Sequence, residues 1–133
     1  AKPETASIAS RRGTLGWPLQ GVLYSRYGPR NGNRHDGIDV SAPHGSTIRA
    51  AADGDVIFAG EQSGYGSIVI VRHAGGLVTV YAHASALLVR EGAEVRRGDP
   101  IARVGQTGRT SGPHLHFEVR EGTRPRDPLL FLP

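Results

Sequence analysis

Residues 114–120, with the sequence HLHFEVR, alternate between apolar and polar side chains, as a half-buried β-strand does. One face of such a strand would carry the apolar side chains of Leu115, Phe117 and Val119. The other face would carry His114, His116 and Glu118. Since residues two apart on a strand are separated by about 7 Å, both imidazoles can reach one point above the sheet. The alternative for this stretch taken alone is the polar outer face of an ordinary strand.

Short β-like segments and turn-forming residues make up most of the remaining chain. Its 133 residues include 19 Gly and 9 Pro, and no segment of helical length keeps a helical period without a breaker. Residues 56–58 predict a buried strand, residues 67–72 and 77–81 a hairpin, and residues 91–104 two further strands. Residues 84–89 are compatible with a single helical turn. The sequence therefore predicts a mostly β protein, a compact antiparallel sandwich or barrel with long loops and little helix.

The length is that of one domain of ordinary size. Residues 1–13 (AKPETASIASRRG) are small, polar and aperiodic, which predicts a linker or tail, whereas residues 14–133 have the composition of a folded domain. Because the first residue is Ala and the chain contains no Met, we expect a mature or trimmed part of a longer product, with any secretion signal removed. No apolar run approaches the roughly 20 residues that a transmembrane helix needs.

The charge and the absence of cysteine exclude several classes of partner and several kinds of functional site. Sixteen basic against 12 acidic residues give a formal net charge of +4. The arginines are scattered and no aromatic-rich segment accompanies them, so we expect no nucleic acid as a partner. A solvated Arg-rich surface is the simplest explanation, and an anionic polymer or membrane surface fits a diffuse positive field equally well. The absence of Cys excludes disulfides, thiolate zinc ligands, Fe–S clusters and a Cys nucleophile.

A second motif, HDGID at residues 35–39, places an imidazole and a carboxylate four residues apart. In an extended chain the two Cα atoms would be about 13 Å apart, too far for both side chains to bind one ion. The chain must therefore bend, and Gly37 permits a bend. Two His nitrogens and one carboxylate oxygen would form the three-ligand site of a catalytic zinc ion. The motif HExxH is absent, and its glutamate base is absent with it.

Together these motifs resemble the M23 family of zinc metallopeptidases, the lysostaphin and LytM type that cleaves peptide cross-links in bacterial peptidoglycan. The resemblance rests on HxGID at residues 35–39, YAH at 81–83 and GPHLHF at 112–117, in this order and at matching intervals. It extends from about Trp17 to Leu132. The compact β fold of that family agrees with the strands predicted above from the pattern alone.

The resemblance implies a specific site. One zinc ion per chain would be held by His35, Asp39 and His116, while His83 and His114 would be catalytic histidines that do not bind the metal. The implied activity is that of a zinc-dependent endopeptidase, in which a zinc-bound water attacks the peptide bond and the two histidines move protons. The family cuts Gly-Gly, D-Ala–Gly and D-Ala–diaminopimelate bonds, and the sequence leaves the choice among them open.

The implied substrates are the stem peptides and cross-links of peptidoglycan, so we expect an extracytoplasmic location: the periplasm, the cell envelope or the medium. The alternative is a non-catalytic LytM-type module that binds and activates a cell-wall amidase. Such relatives have usually lost zinc ligands or catalytic histidines, whereas this chain keeps all five residues. A carrier domain, which Glu94–Val104 resembles in part, would need a modified lysine, and Lys2 is the only lysine.

Three further residues complete the predictions. Tyr81 precedes His83 by two residues and would share its strand face if the strand continues that far. Packing in the core is the common role of such a tyrosine, and a hydrogen bond behind the metal ligands or a contact with substrate is the alternative. For His44 and His73 we expect positions on the solvated surface.

Overall fold

The computed structural model describes residues 11–30, 32–108, 110 and 112–133, and this part of the chain is mostly antiparallel β-structure, as the sequence predicts. Its twelve strands are β1 (Val22–Ser25), β2 (Gly28–Arg30), β3 (Asn33–His35), β4 (Ile38–Ser41), β5 (Thr47–Arg49), β6 (Gly54–Gln62), β7 (Gly66–Arg72), β8 (Leu77–Leu87), β9 (Glu94–Val95), β10 (Pro100–Val104), β11 (His114–Glu121) and β12 (Arg124–Arg126). No helix among the described residues is long and apolar enough to span a membrane.

Ten of the strands in the described part form one sheet, whose main path has the order β1-β4-β11-β8-β7-β6-β9. Strand β8 is the centre of this sheet. Its first half pairs with β7 on one side and β11 on the other, and its last residues, 84–87, pair with β10, which in turn pairs with β5. Strands β2 and β3 form a separate two-stranded ribbon. Because β8 is shared, it joins the two parts of the sheet around one core.

The core contains the predicted apolar face of β11. Phe117 is fully buried and its ring centre lies 5.4 Å from that of Tyr81, its cross-strand partner on β8. The same hydrophobic cluster includes Ile48 of β5 and Ile101 of β10. Burying one such large side chain contributes about 1.5–3 kcal/mol. The opposite face of β11, which carries the histidines, is therefore fixed by the packing beneath it.

Most of the predicted segments are confirmed, with two corrections. The hairpin forms from β7 and β8, and the strand at residues 56–58 is the middle of the longer β6. The helical turn at residues 84–89 is wrong, because Ala84 and Leu87 belong to β8 and pair with Val104 and Ala102 of β10. Strand pairing with a distant segment overrides the local preference here.

The second correction concerns His73, which is 8% exposed and not on the solvated surface. Its Nδ1 donates to the backbone oxygen of Asp53 at 2.7 Å, and its Nε2 lies 2.7 Å from the hydroxyl of Thr79. The imidazole is thus enclosed with both nitrogens hydrogen-bonded. His44 is exposed, as expected.

Residues 1–10, most of the predicted linker or tail, lie outside the described residues, and the division at residue 13 stays a prediction. Within the described part, Arg11 lies 2.8 Å from the carboxylate of Glu121 and over the ring of Phe131. The N–H of Gly13 donates to the backbone oxygen of Phe131 at 2.8 Å. The segment just before residue 14 is therefore attached to the C-terminal end of the domain.

Candidate metal centre

A bend between β3 and β4 brings His35 and Asp39 together. Nε2 of His35 lies 3.3 Å from Oδ2 of Asp39. The bend falls at Gly37, as predicted, but the reason for a glycine is different: its φ lies outside the left-handed region. A Cβ at this position would instead collide with the backbone oxygen of Phe117 and lie 2.9 Å from Cγ of Glu118. Glycine is required because β11 packs directly against the bend.

His116 reaches the same carboxylate from the neighbouring strand. It is the cross-strand partner of Asp39 in the β4–β11 register, and directly opposed residues project from the same face. Nδ1 of His116 lies 2.9 Å from Oδ1 of Asp39. Among the His, Asp and Glu side chains of the described residues, one group of three has its donor atoms within 4.8 Å of one another. This group consists of His35, Asp39 and His116. Two imidazole nitrogens and a carboxylate oxygen are donors typical of a zinc site.

Each of these imidazoles has its second nitrogen bound elsewhere, which determines the nitrogen that faces Asp39. Nδ1 of His35 donates to the backbone oxygen of Arg26 at 2.9 Å, so Nε2 carries the lone pair. Nε2 of His116 donates to Oε2 of Glu118 at 2.8 Å, so in the neutral ring Nδ1 carries the lone pair. Hydrogen bonds of this kind orient imidazole ligands and select their tautomer. The donor set therefore fits a metal ion.

A local change in the backbone of β8 brings His83 into the same cluster. Its φ is 65°, and within the described residues no other non-glycine residue has a positive φ. The register between β7 and β8 shifts here, and the N–H of His83 donates to the backbone oxygen of Tyr65 at 2.9 Å. Such a conformation costs on the order of 1–3 kcal/mol, and bulges of this kind re-aim side chains. The ring of His83 faces His114, with 4.9 Å between the ring centres.

His83 and His114 have equivalent hydrogen-bond partners. Nδ1 of His83 donates to the backbone oxygen of Thr107 at 2.7 Å, and Nδ1 of His114 donates to that of Gly112 at 2.9 Å. In both neutral rings Nε2 therefore keeps its lone pair. Nε2 of His114 lies 3.8 Å from Oδ1 of Asp39, beyond hydrogen-bond distance. The structure thus brings all five motif residues together, and in both neutral rings Nε2 is the acceptor nitrogen.

Tyr81 does not join this cluster. It is fully buried, its hydroxyl accepts a hydrogen bond from the N–H of Ala51 at 3.0 Å, and it lies 2.7 Å from the hydroxyl of Thr79. The expectation that Tyr81 shares a face with His83 is wrong, because the left-handed backbone at His83 interrupts the alternation of faces along β8. Tyr81 has the more common of the two predicted roles, packing in the core.

The cluster forms the floor of a cleft of about 750 Å³. Tyr24 of β1 stands at its edge, 55% exposed, with its ring edge-on to that of His114 at 5.7 Å. The cleft is lined by Tyr24, Ser25, His35, Asp39, Gly64, Tyr65, His83, Thr110, His114 and His116. All the candidate ligands and both further histidines therefore face one open cavity.

The electrostatics of the cluster favour a bound cation. Burial alone would lower the pKa of His116, but its hydrogen bonds to Asp39 and Glu118 outweigh burial and raise the pKa to about 9. Burial raises the pKa of Asp39, yet the hydrogen bond and charge of His116 hold the net value below the usual range. Burial lowers the pKa of His83, so this ring is neutral at neutral pH. A metal ion would displace the proton that two carboxylates now hold on His116.

Three residues behind His116 were not predicted as part of the site: Glu118, Arg120 and Tyr65. The hydroxyl of Tyr65 donates to Oε2 of Glu118 at 3.0 Å, and Arg120 donates to Oε1 from Nε at 2.9 Å and from Nη2 at 2.6 Å. Alternation along β11 places Glu118 and Arg120 on the face of His116, so a search of that face could have found both contacts. Tyr65 lies in the turn between β6 and β7, 53 residues away from Glu118, and no local pattern points to it.

The fold and the cluster define a class: a small antiparallel β domain with a His/Asp/His centre that can hold a metal ion. Residues 33–128, well over half of the chain, match the family model of Peptidase family M23, and the chain belongs to that family. The resemblance drawn from the three motifs is thereby confirmed.

Several relatives are about 40% identical to this chain. They include cell division protein DipM of Caulobacter vibrioides (40% over 141 residues, covering 100% of this chain and 23% of DipM). DD-carboxypeptidase/endopeptidase Mpg of Neisseria meningitidis is 40% identical over 136 residues, covering 95% of this chain and 31% of Mpg. Murein hydrolase activator NlpD of Escherichia coli is 40% identical over 121 residues, covering 90% of this chain and 31% of NlpD. The chain spans only about a quarter to a third of the length of these curated relatives.

Solved structures show the same fold. Csd3 of Helicobacter pylori superposes with a TM-score of 0.80 at 40% identity, covering 90% of this chain and 33% of Csd3. A zinc-containing peptidase from Vibrio cholerae superposes with a TM-score of 0.71 at 35% identity, covering 84% of this chain and 35% of that one. The expected fold, an antiparallel β domain of the M23 type, is therefore correct.

Proposed function

We propose that this chain is a zinc-dependent endopeptidase domain that hydrolyses peptide cross-links of bacterial peptidoglycan. The observation that carries the proposal is the convergence of three metal donors and two further imidazoles in one cleft. His35, Asp39 and His116 would hold one zinc ion per chain. His83 and His114 would transfer protons without binding the metal.

Zinc bound by these donors would supply a Lewis acid that polarises the scissile carbonyl and acidifies the attacking water. The chain itself provides the orientation of the donors. Nε2 of His35 and Nδ1 of His116 are the lone-pair nitrogens, and Asp39 between them contributes the negative charge. The hydrogen bonds to Arg26 and Glu118 keep both rings from rotating out of this arrangement.

The two remaining histidines are suited to proton transfer. Because burial lowers the pKa of His83, its Nε2 is available at neutral pH to accept a proton from the attacking water. Nδ1–H of His83 and of His114 donate to the carbonyls of Thr107 and Gly112, and these acceptors would stabilise either ring when it becomes charged. One ring can thus accept the proton while the other donates to the oxyanion or the leaving amine.

The substrate class and the location rest on the relatives and on the charge. Mpg is named a DD-carboxypeptidase/endopeptidase and NlpD a murein hydrolase activator, so one name gives a peptidase activity and the other refers to the hydrolysis of murein. The net charge of +4 favours contact with anionic wall polymer or with the carboxylates of stem peptides. We therefore place the proposed activity outside the cytoplasm, where peptidoglycan is.

The test is digestion of purified peptidoglycan by the zinc-loaded chain, with mass spectrometry of the released muropeptides. Walls with Gly bridges and walls with direct cross-links are digested in parallel, which also identifies the bond that is cut. We expect uncross-linked muropeptides from at least one wall type, and none from the His83→Ala variant. No product from either wall with the zinc-loaded wild-type chain would overturn the proposal.

A second candidate function is favoured by the similarity to NlpD: activation of a separate wall hydrolase, such as a cell-wall amidase. The same cleft would then bind a segment of the amidase. The two functions separate when the chain is added to an amidase on purified wall. A rise in amidase products that persists in His83→Ala, without cross-link cleavage by the wild-type chain, would support the activator.

A further inference from the structure

We infer that Glu118 is a positioning residue of the metal centre, which holds the imidazole of His116 with Nδ1 towards the cleft. Together with Tyr65, it also joins this ligand to the turn that supports His83. The inference rests on the proposed function, because it assigns a role to Glu118 only if His116 binds a metal ion. It adds a residue outside the five motif positions.

The carboxylate of Glu118 is buried and has four donors. The residue is 1% exposed. Oε1 accepts from Nε and Nη2 of Arg120 at 2.9 and 2.6 Å, while Oε2 accepts from Nε2 of His116 at 2.8 Å and from the hydroxyl of Tyr65 at 3.0 Å. Each oxygen thus receives two hydrogen bonds. With this geometry the side chain has one position, and His116 is oriented by a fixed partner.

Stability alone does not account for this buried charge. Removing a carboxylate from water costs several kcal/mol, and its pairing with Arg120 offsets that cost at best approximately. Gly37 packs closely against the same side chain: a Cβ at this position would collide with the backbone oxygen of Phe117 and lie 2.9 Å from Cγ of Glu118. A negative charge on the far side of an imidazole ligand increases the basicity of the nitrogen that binds the metal. This effect on the metal-binding nitrogen of His116 is the role that we assign to the buried charge of Glu118.

Tyr65 connects the two halves of the site. Its hydroxyl donates to Glu118 behind the candidate ligand, and its backbone oxygen accepts the N–H of His83 at 2.9 Å. One residue of the β6–β7 turn is therefore hydrogen-bonded both to the carboxylate behind His116, a proposed zinc ligand, and to the backbone of His83, a proposed proton-transfer residue. A shift of this turn would move His116 and His83 together.

The test compares Glu118→Gln with the matched control Glu121→Gln, a carboxylate on the same strand that pairs with Arg11 and Arg126 instead. Zinc affinity is measured by competition with a chromogenic chelator. The amide oxygen of Gln can still accept the proton of His116, but the charge is lost. We expect zinc to bind about 10–100-fold more weakly in Glu118→Gln, and with unchanged affinity in Glu121→Gln.

A second readout reports the hydrogen bond itself. In zinc-loaded wild-type protein the Nε2 proton of His116 should give a downfield, slowly exchanging NMR signal, because a buried carboxylate accepts it. In Glu118→Gln this signal should move upfield and exchange faster, and in Glu121→Gln it should stay. Tyr65→Phe removes one donor from Glu118 without touching His116, and it should weaken zinc binding by a few-fold. This variant decides the question if Glu118→Gln fails to fold.

These experiments distinguish a failure of the positioning role of Glu118 from a failure of the proposed function. If the wild-type chain binds zinc and Glu118→Gln binds it equally well with an unchanged Nε2 signal, the positioning role is wrong while the proposed function stands. Equal weakening in Glu121→Gln would also overturn the positioning role, because a general loss of negative charge would then explain the effect. If the wild-type chain does not bind zinc, the proposed function is wrong and the inference falls with it.

Discussion

The backbone oxygen of Thr107 accepts the Nδ1 proton of His83 at 2.7 Å, while the hydroxyl of the same threonine donates to the backbone oxygen of Ala84 at 2.7 Å. That hydroxyl also accepts from the N–H of Ser67 at 3.1 Å. Thr107 therefore attaches the loop after β10 to both β7 and β8, next to the strained backbone of His83. The position of the His83 ring depends on a residue 24 positions away in sequence.

Thr107→Val should consequently reduce activity without removing metal. The substitution keeps the shape but leaves the N–H of Ser67 and the carbonyl of Ala84 without their partner, which costs about 1–3 kcal/mol of stability. We expect a lower kcat with zinc content unchanged, measured by muropeptide release and metal analysis. Ser46→Ala, which removes an exposed hydroxyl bonded to Pro43, is the control. Unchanged kcat in Thr107→Val would show that the ring is held by other contacts.

Asp39→Ala should abolish most zinc binding. Asp39 lies between both imidazoles and is the carboxylate of the proposed donor set, so its loss removes one ligand and the attraction to the cation. Asp36→Ala is a matched control: this carboxylate neighbours His35 but is half-exposed, 3.8 Å from Arg34. Metal analysis of both purified variants is the measurement. Zinc content near that of the wild type in Asp39→Ala would contradict the ligand assignment.

His83→Ala and His114→Ala should keep zinc and lose activity. Neither ring is among the proposed ligands, so each variant should lose only proton transfer, about 10²–10⁴-fold in rate. His44→Ala, at an exposed position away from the cleft, should behave as the wild type. Zinc loss in either active-site variant would place that histidine among the ligands and require a different scheme.

The sequence predicts β11 from a local rule, whereas the five residues of the cluster are those that the resemblance to the M23 family implies. Alternation along residues 114–120 places His114 and His116 on one face, and the cross-strand pairing of His116 with Asp39 completes the convergence. The rule fails at His83. The left-handed backbone of His83 turns its own side chain away from the face of Tyr81, and no residue type in YAH predicts a positive φ at a histidine.

Local sequence patterns do not predict the contacts that support the cluster. Tyr65 and Thr107 lie in loops and reach Glu118 and His83 across 53 and 24 residues of sequence. Loop positions of this kind follow from the packing of the whole sheet, which a strand period does not encode. His73 shows the same limit in the core, because its burial results from partners on separate segments, Asp53 and Thr79.

Gly37→Ala should lower both stability and zinc affinity. The added Cβ collides with the backbone oxygen of Phe117 and presses on Cγ of Glu118, so β3 or β11 must shift at the point where His35 and His116 approach Asp39. We expect a loss of about 1–3 kcal/mol in the free energy of unfolding, together with weaker zinc binding. Gly60→Ala, whose Cβ would meet only the ring of Phe58 at 3.3 Å, should leave zinc affinity unchanged. Wild-type affinity in Gly37→Ala would contradict the packing argument.

A buried hydrogen-bond chain gives the core a dependence on pH. Nδ1–H of His73 donates to the backbone oxygen of Asp53, and its Nε2 lies 2.7 Å from the hydroxyl of Thr79, which donates to the hydroxyl of Tyr81 at 2.7 Å. Tyr81 in turn accepts the N–H of Ala51. A proton on Nε2 would place a positive charge among these buried groups, and burial disfavours the charged ring.

The contribution of His73 to stability should therefore decrease as the pH falls below about 6.5. Burial lowers the pKa of His73 from its ordinary value of 6.5, so the unfolded chain takes up the proton at a higher pH than the folded chain. The contribution of the neutral ring is complete above that value and is lost progressively between it and the lower pKa of the folded state. Urea unfolding of metal-free protein at about pH 7.5 and pH 5.5 should show a smaller loss in His73→Gln, which does not titrate, than in the wild type or in exposed His44→Gln. Equal losses in all three proteins would mean that His73 does not contribute to the pH dependence.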